Sequence, residues 1–114
     1  METLFELVST AFAAIKRFII KTVQGVLNWA KHIVDWFKVR VLGLSQNAVV
    51  FKNEKMRELI DNARKVDVGL RKGVTKCIYD EELNEIVAHE VTNADEIDEQ
   101  TRAMLGNDGM VVLC

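Results

Sequence analysis

The sequence predicts an α+β protein: a long N-terminal amphipathic helix, then a small domain with two shorter helices, a β-hairpin and a short C-terminal strand. Three observations carry this expectation. Apolar residues recur every three or four positions through the first forty residues, the stretches VTKCIY and EIVAHEV flank a polar DEELN turn, and MVVL closes the chain after NDG.

Val8, Phe12, Ile15, Ile19, Val23, Val26, Ala30, Ile33 and Phe37 follow one another at the spacing that stacks side chains on one helix face. Leu4, Phe5, Ala11, Leu27, Trp29, Val34 and Trp36 flank them, so the apolar arc takes about half the circumference. Glu6, Arg17, Lys21, Gln24, Asn28, Lys31, His32, Asp35 and Lys38 fill the other arc, and Lys16 lies at the edge, where its stem can carry the ammonium outward. A stripe this broad exceeds the narrow seam of a two-stranded coiled coil and calls for several neighbours or a lipid interface. A continuous helix would be roughly 60 Å long. Gly25 is its weak point, costing about 1 kcal/mol relative to Ala, and a bend or break is expected there. GLSQN over 43–47 interrupts the period, which divides the chain into a helix over 1–43 and an α+β domain over 44–114.

Within that domain AVVF over 48–51 suits a strand or the lead-in to a helix, with Asn53 as N-cap and Glu54 just inside. Met56, Leu59, Ile60, Ala63 and Val66 share a face, predicting a helix over 54–66. Gly69 and Gly73 bracket the basic connection LRK. The β-branched and aromatic residues of VTKCIY then form one strand and EIVAHEV returns as the second. Asn93 and Glu96 stand at capping spacing, so the third helix is expected over 93–105 with Ile97, Met104 and Leu105 facing inward. Gly106 ends it, and MVVL is a strand whose expected partner is the hairpin.

The formal charge of −2 conceals an asymmetry, since residues 1–44 carry six Lys/Arg against three Asp/Glu and the remainder nine against fourteen. The basic part is the apolar part. A core built from the last seventy or so residues would be marginal alone, which favours association. The first basic residue is Lys16, which argues against a signal peptide. The longest uncharged runs in the N-terminal stretch, Leu7 to Ile15 and Thr22 to Ala30, are nine residues each, against the about 20 needed to cross a bilayer. No signal peptide or transmembrane helix is therefore expected, and the location is an intracellular one, an assembled particle or a peripheral membrane surface. Cys77 and Cys114 form no CxxC and are read as free thiols.

No catalytic, cofactor-binding or metal-binding constellation is expected. Cys77, His32 and His89 lack metal-ligand spacing, and Asp80, Glu81 and Glu82 lack the glycine and terminal glutamate of an ordered calcium loop, which leaves a solvated turn. Arg64, Lys65, Arg71, Lys72 and Lys76 form a basic cluster with no interleaved aromatics, so nucleic acid is disfavoured as a partner, and no small-molecule substrate is evident. The expected function is a non-enzymatic structural or assembly protein, a virion-type component being one setting, that associates with copies of itself or a larger complex. The surface expected to do so is the N-terminal helix face at Phe12, Ile15, Ile19, Val23, Val26, Trp29, Ile33, Trp36 and Phe37. The alternative is a peripheral membrane protein whose helix lies in the lipid interface with Lys16, Arg17, Lys21, Lys31 and Lys38 toward anionic headgroups.

Overall fold

The structure, a computed structural model, describes residues 4–15, 17–40, 43–55, 57 and 72–113. The elements run α1 (Leu4–Ala13), β1 (Ile20–Leu27), a π-helical turn (Trp29–Val34) continuing into α2 (Asp35–Lys38), β2 (Gln46–Lys52), β3 (Gly73–Asp80), β4 (Glu85–Ile97), α3 (Glu99–Leu105) and β5 (Met110–Val112). They build a small mixed α/β domain around one five-stranded sheet of order β1-β4-β3-β2-β5. β1 runs parallel to β4, and the other pairs are antiparallel.

The long amphipathic helix does not form. Its first ten residues are α1, its middle is a strand and its last third is the short helical segment. At roughly 60 Å it would overrun the 36 Å longest dimension of the molecule. Ile20, Thr22, Val23 and Val26 are β-branched and suit a pleated surface. Gly25 is not a helix bend: it holds φ +96° in the bulge between Val23 and Val26, a conformation that favours glycine.

β4 secures β1 by more than its backbone. Its His89 Nε2 accepts the Ile19 N–H at 3.0 Å, and Asp95 Oδ2 accepts the Gly25 N–H at 2.9 Å in the bulge. Just past its end, Asp98 Oδ2 accepts the Trp29 N–H at 3.1 Å where β1 has given way to the π-helical turn. The other Asp98 oxygen accepts the Thr101 N–H at 2.9 Å, which makes Asp98 the N-cap of α3. The third predicted helix is therefore shortened. Asn93–Ile97 extend β4, and only the residues after Asp98 are helical, with Gly106 at φ +60° ending them.

The hairpin expected over VTKCIY and EIVAHEV is present as β3 and β4. Asp80 organises its turn, accepting the N–H groups of Glu82 and Leu83 at 2.9 and 3.0 Å. Asp80 itself is buried, whereas Glu81 and Glu82 are exposed, as expected of a solvated turn. β5 pairs with β2, not with the hairpin, and AVVF lies inside β2. Of the helix expected over 54–66, residues 54, 55 and 57 are helical and the rest lies outside the described residues, as do Gly69, Leu70, Arg71 and Cys114.

The sheet buries both faces. Val8 and Phe12 of α1 pack with Val49, Phe51, Cys77, Tyr79 and Val91 on one side, while Trp29, Ile33 and Leu105 pack with Leu27, Val50, Val74 and Ala94 on the other. A strand covered on both faces has no polar side, which is why AVVF is a continuous apolar run and why every residue of β3 is buried. Elements from both sides of the expected boundary at residues 43 and 44 contribute to this sheet and to both cores. Among the described residues the Asn53 side chain bonds across the sheet. It accepts the Thr75 hydroxyl at 2.7 Å and donates to Asn93 Oδ1 at 3.0 Å, satisfying a polar group with no exposed area.

Gly73 starts β3 at φ +146°, and a Cβ there would stand 1.9 Å from the Thr92 carbonyl oxygen. Gly73→Ala is expected to cost about 3 kcal/mol or more, since clash and backbone strain add. At Gly25 a Cβ would meet nothing within 4 Å, so Gly25→Ala should cost only about 1–2 kcal/mol from the backbone. Urea unfolding of the two variants checks the order, and equal losses would contradict it.

Candidate functional site

The described surface has a cleft of about 210 Å³ between the β1 side of the sheet and the helical segment that follows it. Its floor is built by register. Lys21 of β1 lies beside Thr92 of β4, and Glu90 of β4 lies opposite Lys76 of β3. Residues two apart on a strand share a face, so Lys21 and Val23 look the same way, as do Glu90 and Thr92. The wall comes from the π-helical turn and α2, which contribute Lys31, His32, Asp35 and Trp36, with Val39 and Arg40 beyond.

The π-helical turn stands here because Asn28 caps it. The Asn28 side chain accepts the Lys31 N–H at 2.9 Å, and Trp29 and Ile33, four apart, anchor its inner face in the core. That leaves Lys31, His32, Asp35 and Trp36 toward the cleft.

Lys76 is the centre of the floor. Its side chain is 2% exposed, and Nζ donates to Glu90 Oε1 at 2.8 Å and to the His32 carbonyl at 2.8 Å. It also lies 5.3 Å from the Trp36 ring centroid. Arg40 stacks on the same ring at 3.8 Å and donates to the Trp36 carbonyl. The Thr92 hydroxyl donates to Glu90 Oε1 at 3.3 Å.

Burial pushes the Lys76 ammonium below the ordinary lysine range, and the Glu90 hydrogen bond and charge oppose that shift. For Glu90 burial alone would raise the carboxyl. The Lys76 hydrogen bond and charge, with Thr92 and Lys21, outweigh it and hold the group below its usual range. His32 is lowered by burial and then by Lys76, Lys21 and Lys31. The lining therefore sets four cations, Lys21, Lys31, Arg40 and Lys76, against the carboxylates of Asp35 and Glu90.

The other chemically able groups are committed elsewhere. His89 is wedged edge-on between Phe12 and Phe18, and burial lowers it. His32 Nδ1 accepts the Asn28 N–H at 2.8 Å. Burial drives the Cys77 thiol far up. Among the described residues no group of three or more His, Cys, Asp and Glu side chains gathers. Of the basic cluster, Lys72 lies 3.5 Å from Glu96 on the surface and Lys76 is the buried lysine of the cleft, while Arg64, Lys65 and Arg71 lie outside the described residues.

The residues expected to form one association face are divided. Phe12, Trp29 and Ile33 are in the core of this chain, and Ile15, Val23 and Phe37 pack partly buried against it. Trp36 lines the cleft, and only Ile19 and Val26 are well exposed. Glu90 was visible in sequence only as a polar position of a strand. The signal for a buried amine was Lys76 itself, which alternates with Val74 and Ile78 on one face of VTKCIY.

No protein-family model, curated protein or solved structure matches the chain. The fold and cleft define its class as a small mixed α/β domain. Among the described residues no helix is long and apolar enough to cross a membrane.

Removing one member of a buried ion pair strands the other. Lys76→Met should therefore destabilise the fold by about 3 kcal/mol, and adding Glu90→Leu should recover most of it. A double variant no better than the single in urea would contradict the pairing. Both histidines accept a backbone N–H and both are lowered from 6.5. The unfolded chain then takes up these protons at a higher pH than the folded one. Their contribution is complete above pH 6.5 and is lost as the pH falls below it through the folded values. Unfolding midpoints between about pH 7.5 and 5.5 should decline, and replacing both histidines with Gln, which still accepts, should flatten the decline.

Proposed function

We propose that this protein is a non-enzymatic association module that pairs with a second copy of itself along the outer edge of β1. The observation that carries this is the position of β1. It is the last strand of the sheet, one side bonded to β4 and the other unpaired among the described residues, with Ile19 59% and Ile20 43% exposed at its start. An open edge with apolar side chains is a template for another strand. The bulge and Gly25 end its regular part after Val23, which limits pairing to a short segment.

A second copy suits this edge. Twofold symmetry runs the two β1 strands antiparallel, and an axis at Thr22 sets Lys21 opposite the uncharged Val23 of the other copy. No lysine then faces a lysine. The non-enzymatic reading is supported by the lone pairs of both histidines being held by backbone N–H groups, by the buried thiol of Cys77 and by the mutual pairing of Lys76 and Glu90. Because the N-terminal stretch is a helix, a strand and a second helical segment, neither association nor a lipid interface runs through one continuous helix there.

Light scattering after size exclusion is expected to give a dimer for the native chain. Ile20→Lys should return a folded monomer, since it sets a charge on the pairing edge. A native chain that stays monomeric at the highest soluble concentration would end this proposal.

A further inference from the structure

We propose that the cationic cleft is a binding site for a phosphate monoester group. This does not rest on the pairing of β1 edges, because the groups concerned point from the sheet face and the helical segment.

Two features distinguish the cleft from an ordinary basic surface. Its floor is built, not adventitious: Lys76 is anchored by Glu90 and the His32 carbonyl, which uses two of its three N–H donors and leaves one. Its rim is unspent: among the described residues the side-chain ammonium groups of Lys21 and Lys31 have no hydrogen-bond or ion-pair partner, although they come from different elements and converge on one cavity. Both lysines face His32, and after burial and Lys76 their charges help to lower it.

The charge balance selects the ligand class. The Glu90 carboxylate is satisfied by Lys76 and Thr92, and Asp35 is the other carboxylate of the lining. Four cations against two anions leave an excess of two positive charges, and a phosphate monoester carries about −1.5 to −2 at neutral pH. A carboxylate would cancel only half of the excess. Val23 and Val39 give the organic part of the ester an apolar wall, Val39 being 79% exposed. The Trp36 face is taken by Arg40, so stacking of a ring on it is not part of the proposal.

The phosphate could belong to a soluble ester or to a lipid headgroup, and two arms separate these sources. In the first, inorganic phosphate and phenyl phosphate are titrated into the full chain by calorimetry, with phosphorus NMR as a second readout. In the second, phosphatidylcholine vesicles with and without phosphatidic acid are co-sedimented with it. Each is repeated with Lys21→Ala/Lys31→Ala and with Lys38→Ala, an exposed lysine outside the cleft. The double variant should keep the native unfolding midpoint and weaken binding at least about tenfold, as loss of two charge-assisted contacts requires. Lys38→Ala should change neither. Binding in the first arm identifies a soluble ester, and binding only to phosphatidic acid vesicles identifies a lipid headgroup. No binding in either arm overturns the proposal, as does binding that survives the double variant or falls equally with Lys38→Ala.

Discussion

The parallel ladder between β1 and β4 is the constraint on which the rest of the structure depends. A parallel edge strand with a bulge leaves backbone donors that a neighbouring strand cannot reach. Here they are met by side chains from the strand next door and its exit: His89 at the entry of β1, Asp95 in the bulge and Asp98 beyond its end. Asp98 then caps α3 with its other oxygen. One carboxylate therefore ties the start of the π-helical turn to the start of the last helix.

Once β1 is in place, the two helical parts of the N-terminal third must fall on opposite faces of the sheet. α1 covers the side of Phe51, Tyr79 and Val91, and the turn carrying Trp29 and Ile33 covers the side of Val50 and Val74. β3 is then enclosed, and a lysine in the middle of an enclosed strand needs a partner. Lys76 finds it in Glu90 and in a carbonyl of the π-helical turn. The ion pair is thus a consequence of closing the second face, and the Lys76 bond to the His32 carbonyl tethers the helical segment over the sheet.

The cleft and the open edge share β1, which gives the strand two roles. Lys21 and Val23 look into the cavity, while the backbone of the same residues borders the unpaired side. A second strand added there would leave the sheet face untouched, so occupation of the edge and of the cleft are compatible in space. They also fail differently, since a charge at Ile20 acts on pairing and loss of Lys21 acts on the cavity.

Local features were legible without the fold. The hairpin, the turn around Asp80 to Asn84, the stop at Gly106 and the last strand depend on residues within a few positions of each other, where β propensity, turn chemistry and capping act. β1 was not legible, because eight residues with Ile20, Val23, Val26 and Leu27 fit a helical period, and the partners that make them a strand lie about seventy positions away. The site was hidden by a single register step. Counting back from Asp80 opposite Glu85 pairs Lys76 with His89, whereas the bulge between Ile78 and Tyr79 pairs it with Glu90. The sequence by itself determined which residues are apolar enough to be buried and where the chain turns, because those are properties of side chains and their near neighbours. Only the tertiary structure decided which side of the chain those residues face and which charges meet, because both are set by pairing between distant strands.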